Sequence, residues 1–98
     1  MIEYLHNAIR MVAGQDTPIY AFFGNDDGTF VSEDCWLMLH NPDGSMLAAV
    51  EGSYNEESGQ WTFDLPASLT TGLSGRYWYC FQHDNTNLCF KQPLYLLA

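Results

Sequence analysis

Apolar and polar residues alternate with a period of two over much of this chain. In Gln60–Leu65, Trp61, Phe63 and Leu65 share one face, with Thr62 and Asp64 between them. Successive strand side chains point to opposite faces, so the pattern predicts a half-buried strand. Residues 76–82 sort the same way. Tyr77, Tyr79 and Phe81 fall on one face; Arg76, Trp78, Cys80 and Gln82 fall on the other. The polar ends of the second set assign the first set to the core. Further strands are predicted at 19–23, 35–40 and 46–51, the last two joined as a hairpin through Asn41-Pro42-Asp43-Gly44. Residues 88–97 close the domain, with Pro93 marking a bulge or an edge because it has no N–H to give a ladder. The N-terminal segment carries two patterns. Ile2, Leu5, Ile9 and Val12 fit a helical stripe, whereas Ile9 and Met11 fit the inner face of a strand. An edge strand over residues 6–12 agrees with the β character of the rest; a short helix is the alternative.

Turn signals separate these segments at intervals of about ten residues, as in sandwiches and barrels. They are Gly24-Asn25-Asp26-Asp27-Gly28, Asn41-Pro42-Asp43-Gly44, Asn55-Glu56-Glu57-Ser58-Gly59, Thr71-Gly72 with Ser74-Gly75, and His83-Asp84-Asn85-Thr86. Gly, Asn and Asp tolerate left-handed backbone, and Pro presets one dihedral. The expected fold is all-β: an immunoglobulin-like antiparallel β-sandwich of about seven strands, forming one domain over residues 1–98. The antibody spacing of Cys, Trp and Cys is absent, since Cys35 adjoins Trp36.

Composition narrows the function. With 98 residues and 47 % apolar content, the chain can bury a core without metal or disulfide. Its formal charge of −9 leaves Arg10, Arg76 and Lys91 as the fixed cations. Phosphate neutralisation needs many more, which excludes nucleic acid as a partner and disfavours an anionic membrane surface. No apolar run approaches the roughly 20 residues that span a bilayer. Residues 1–15 lack the basic start and apolar block of a secretory signal, so an intracellularly made, soluble protein is expected.

Candidate chemistry is sparse. His6, His40 and His83 lack the short local spacings of a zinc site and read as surface histidines; no metal or other cofactor is expected. If Asp84-Asn85 is a two-residue turn, Cys80 stands opposite Cys89, within reach of a cross-strand bridge. Intracellular reduction favours three free thiols instead, Cys35, Cys80 and Cys89 packing as small apolar groups. Asn25-Asp26-Asp27-Gly28 with Glu33 and Asp34 offers oxygen ligands but not the alternating calcium-loop pattern, and reads as a solvated turn. Glu56, Glu57 and Asp64 read as solvated charges. No nucleophile elbow, phosphate loop or zinc-protease helix occurs, so the expectation is a non-enzyme with no catalytic residues.

The outward aromatics are more informative. With Leu37 and Leu39 inward, Trp36 and Met38 face away, as does Trp78 on its own strand. Were those strands sheet neighbours, the three would form an apolar outer patch, and such patches mark partner sites. The competing reading covers them with the N-terminal segment or with Leu94-Tyr95-Leu96-Leu97.

Five stretches, read in order, carry a resemblance. They are Ala13-Gly14-Gln15-Asp16-Thr17, Asp26-Asp27-Gly28, Leu37-Met38-Leu39-His40-Asn41-Pro42-Asp43-Gly44, Gly59-Gln60-Trp61-Thr62-Phe63 and Leu73-Ser74-Gly75-Arg76-Tyr77-Trp78-Tyr79. Their order resembles the immunoglobulin-like domains of phage tail and baseplate proteins, notably the N-terminal domain of baseplate upper proteins. The resemblance implies a phage or prophage structural module, made in the host cytoplasm and then built into a virion, with other virion proteins or a second copy as partner. Baseplate proteins continue into further domains, whereas this chain stops at Ala98, so a small tail, head or neck accessory protein is the expected form. A carbohydrate-binding module, stacking Trp36, Trp78 or Tyr20 on sugar rings, is the alternative function.

Overall fold

The structure, a computed structural model, describes residues 2–5 and 8–98, with residues 3–5 described through their backbone. Its strands are β1 (Ile2–Leu5), β2 (Ala8–Val12), β3 (Thr17–Ala21), β4 (Cys35–His40), β5 (Met46–Glu51), β6 (Ser53–Asn55), β7 (Gln60–Leu65), β8 (Gly75–His83), β9 (Thr86–Asn87) and β10 (Gln92–Leu97), with one short helix, α1 (Ala67–Thr70). The larger sheet runs β1-β2-β10-β8-β4-β5, with β9 beside β8; the smaller runs β3-β7-β6. The two pack face to face as an all-β sandwich. Each of the seven expected strands has its counterpart, and the additional β1, β6 and β9 are only four, three and two residues long. The grouping of β10, β8, β4 and β5 against β3, β7 and β6 is the immunoglobulin-like division of strands between sheets.

Alternation sorts the core as read from sequence. Trp61, Phe63 and Leu65 from β7 meet Leu37 and Leu39 from β4, Tyr77 and Tyr79 from β8, and Leu94 and Leu96 from β10, all buried. Phe63 stands at the centre, its ring centroid 5.1 Å from Phe81, 6.1 Å from Trp61 and 6.4 Å from Phe23. Such edge-on, tilted and stacked aromatic pairs add to the gain from burial itself. The Trp61 indole N–H donates to the Val31 carbonyl at 2.8 Å, a buried bond that ties the loop after β3 to β7. Trp61→Phe leaves that carbonyl without its partner. The expected loss is about 1–3 kcal/mol of unfolding free energy, read by urea denaturation.

The described residues of the N-terminal segment are strand, not helix, and Ile9 and Met11 face the core as the alternating pattern requires. The described part of the strand expected over residues 6–12 is Ala8–Val12, and His6 lies outside the described residues. One detail differs from expectation: the strand is not an edge, because β1 pairs with it on one side and β10 runs parallel to it on the other, Leu94 opposite Ile9. Parallel pairing with a strand distant in sequence leaves no local signal. Pro93 makes no bulge. It faces Trp78 on β8 where β10 is still an edge on its other side, since pairing with β2 starts at Leu94. Pro18 is tolerated for the same reason, β3 being an outer strand of its sheet.

Two loops share one construction. In Asn25–Thr29 and in Asn41–Ser45, the first residue's backbone N–H donates to the fifth residue's carbonyl, at 2.7 and 2.8 Å. The aspartate Oδ1 accepts from the fifth residue's hydroxyl, at 2.6 Å in each loop. The glycine at the fourth position has φ of +88° or +91°, a region open to glycine and strained for other residues. Both aspartates are thereby held below the usual carboxylate range, by the hydroxyls of Thr29 and Ser45 first and the adjoining backbone N–H second. The side chain at the heart of each acidic turn is committed to its own loop.

Candidate functional site

The register of the larger sheet fixes its outer face. Trp36 faces Gln82 across β4 and β8, Met38 faces Cys80, and His40 faces Trp78. Trp36, Met38 and Trp78 therefore share the outer face, with Met38 and Cys80 lying between the two tryptophans, and all three are half-buried. Among the described residues neither terminal segment lies over them, because β1, β2 and β10 are strands of the same sheet. Asp34 accepts the Trp36 indole N–H at 3.0 Å. The Arg76 guanidinium sits 4.4 Å from the Trp78 ring centroid, a cation–π contact. Arg76 shares a rung with Tyr95, and Tyr95 with Arg10, so a polar aromatic row borders the apolar one.

What covers part of this face is a segment read from sequence as strand. Next to the Asp84-Asn85 turn, Gln82 faces Asn87; farther along β8, Tyr79 faces Gln92. Two residues of β8, Cys80 and Phe81, are thus opposed by four, residues 88–91, and the surplus backbone loops outward. Strand pairing starts again only at Gln92, which corrects the expectation of a strand from residue 88. Phe90 is 89 % exposed and Leu88 is 39 % exposed, whereas Cys80 beside them is 1 % exposed. The bulge residues, with Asn87, line an open hollow of about 430 Å³. Lys91 reaches across to the Gly44 carbonyl at 3.5 Å, which links the bulge to the turn between β4 and β5.

His40 is the clearest misreading of the sequence. Expected at the surface beside a turn, it is buried, with Nε2 3.8 Å from Cys80 Sγ and Nδ1 making no hydrogen bond of normal geometry. Its burial and the Lys91 ammonium hold its pKa below the ordinary value of 6.5, the Gly44 backbone pulling weakly the other way. The folded protein thus takes up this proton less readily than the unfolded chain. Stability is lost as pH falls through about 6.5 toward the lower folded value. The bound turn aspartates, depressed below 3.8, add a separate loss at still lower pH. Urea midpoints for wild type are therefore expected to drop between pH 8 and pH 5. In His40→Gln that step is expected to flatten, leaving only the more acidic one.

The remaining polar candidates are dispersed. His83 bonds through Nδ1 to the Glu33 carbonyl at 2.7 Å, and Glu33, Asp34, Glu56, Glu57 and Asp64 are exposed. Among the described residues no three His, Cys, Asp or Glu side chains gather as metal ligands, and no helix is long and apolar enough to cross a membrane. All three cysteines are unbridged. Burial first, and then Asp34, push the Cys35 thiol up to about 11. A second aromatic cluster lies on the smaller sheet's side: Tyr20, Phe22 and Phe30 are about half exposed, the two phenylalanine rings 6.1 Å apart. No protein-family model matches this chain, and no curated protein matches it.

Proposed function

We propose that this domain is a non-catalytic assembly module that grips another protein with the outer face of its larger sheet, in the manner of a virion structural domain. The observation that carries the reading is Phe90, 89 % exposed on a bulge beside a face that bears Trp36, Met38 and Trp78. An aromatic side chain left in water contributes nothing to the fold, and such residues concentrate at the centres of contact surfaces. Met46, 51 % exposed and opposite His40, extends the apolar area toward β5. The cations support the same face: Arg10 and Arg76 flank Tyr95 on it and Lys91 lies in the bulge, in a chain of charge −9. A partner offering an apolar pocket rimmed by carboxylates fits this pattern.

The test is co-expression of the domain with the products of the genes that flank its own. A flanking protein is expected to co-purify with wild type and with Phe22→Ser, on the opposite sheet's side, and to be lost at least tenfold with Phe90→Ser. Phe90→Ser is expected to leave stability within about 0.5 kcal/mol, as for other surface changes. Equal recovery with Phe90→Ser, or no flanking partner at all, overturns the reading. The exposed Tyr20 and Phe22 favour a second reading, sugar stacking on the smaller sheet. Binding on a glycan array that Tyr20→Ala abolishes would replace the first reading with that one.

A further inference from the structure

Cys80 and Cys89 flank the point where the hairpin of β8 and β9 gives way to the bulge. Gln82 faces Asn87, His83 faces Thr86, and the Leu88 N–H donates to the Phe81 carbonyl at 2.9 Å. The turn residues Asp84 and Asn85, with φ of +48° and +61°, lock this register. Strand pairing ends at Gln82 and Asn87, the single bond from Leu88 to Phe81 reaches one residue farther, and Cys80 and Cys89 are the next residue on each side. A ladder continued by one more step would bring their Cα atoms to about 4.5 Å, the near end of the range that a disulfide spans. The two thiols differ in access: Cys89 is exposed and Cys80 is buried. Behind Cys80 stands His40, its Nε2 3.8 Å from Sγ.

We propose that Cys89 and Cys80 form a thiol–disulfide exchange site, which a small organic disulfide such as oxidised glutathione converts to an intramolecular bridge. The exposed Cys89 thiolate attacks one sulfur of the small disulfide, and the other sulfur leaves as a thiolate. Cys80 then gives its proton to His40 Nε2, which passes it to solvent, and attacks the Cys89 sulfur. The second small thiolate departs. Two protein thiols are oxidised, and one small disulfide is reduced to two thiols. The bridge fastens the first turn of the bulge to β8 and so fixes the segment that carries Phe90. Exchange at these two thiols needs nothing from whatever Phe90 contacts.

The experiment treats the native protein with oxidised glutathione and follows mass, free thiols and proteolytic fragments. Wild type is expected to lose two of its three thiols and two hydrogens in mass, with fragments joined through Cys80 and Cys89. Cys35 stays reduced throughout, which shows that the core has not opened. Cys80→Ser is expected to halt at a glutathione adduct on Cys89, and Cys89→Ser to remain unmodified. In His40→Gln the adduct is expected to accumulate before closure; closure at the wild-type rate would remove His40 from the reaction. A wild-type protein that does not react, or that stops at a stable Cys89 adduct with Cys80 still free, overturns the proposal.

Discussion

Phe63→Ala is expected to lower the unfolding free energy by about 3–5 kcal/mol, the range for deleting a buried aromatic ring. The side chain is fully buried and touches both layers, packing on Trp61 within its own strand and on Phe81 from the opposite sheet. Those rings are themselves packed against Phe23, Tyr54 and Tyr79, so little can collapse into the space left behind. A domain of this size has only about 5–15 kcal/mol in hand, so the variant should sit near the edge of folding. Guanidinium denaturation followed by tryptophan fluorescence reads it directly. A loss below about 1 kcal/mol would mean that the two sheets are not joined through this ring.

Gly52→Ala is expected to be nearly as damaging, for the opposite reason. Gly52 lies between β5, in the larger sheet, and β6, in the smaller, where the chain crosses from one layer to the other. Its N–H donates to the Cys35 carbonyl at 3.0 Å, which pins the crossover to β4. A Cβ there would stand 2.6 Å from Phe63 and 2.7 Å from Trp61, ring atoms held by the whole core. Overpacking of this kind costs about 1–3 kcal/mol, and the midpoint of denaturation should fall accordingly. A matching change at Gly72, where a Cβ meets nothing within 4 Å, tests a different strain, that of its positive φ of +81°.

The layered fold was legible because it depends on a local rule. Alternation at Trp61, Phe63 and Leu65, and at Tyr77 and Tyr79, needs only the pleat of a strand to become inside and outside. The same rule put Trp36, Met38 and Trp78 on the outer face, and the structure leaves them there. What escaped depends on register between distant segments. Nothing in residues 88–91 says that they oppose two residues rather than four; Leu-Cys-Phe-Lys reads as well for a strand as for a bulge. His40 was misread for the same reason, since it is buried beneath side chains about 40 and 50 positions away in sequence, Cys80 and Lys91. Counting back from the Asp84-Asn85 turn sets Cys89 against Cys80 and Pro93 against Arg76; the surplus residues show only in the structure, where Pro93 faces Trp78. The short helix Ala67–Thr70 left little trace, held as it is by the Asp16 side chain accepting the Ala67 N–H at 2.7 Å and by Thr70 accepting from Gly14 at 2.8 Å.

The contact surface and the thiol pair both depend on the excursion of residues 88–91 from the sheet, which shields Cys80 and leaves Cys89 in water. Native-state thiol labelling measures that shielding without any partner. Under a gentle alkylating pulse, one thiol of the three should react quickly and map to Cys89, with Cys80 and Cys35 slower by at least a hundredfold. Labelling of Cys80 as fast as Cys89 would contradict the account, because the segment would then not cover the face on which it was placed.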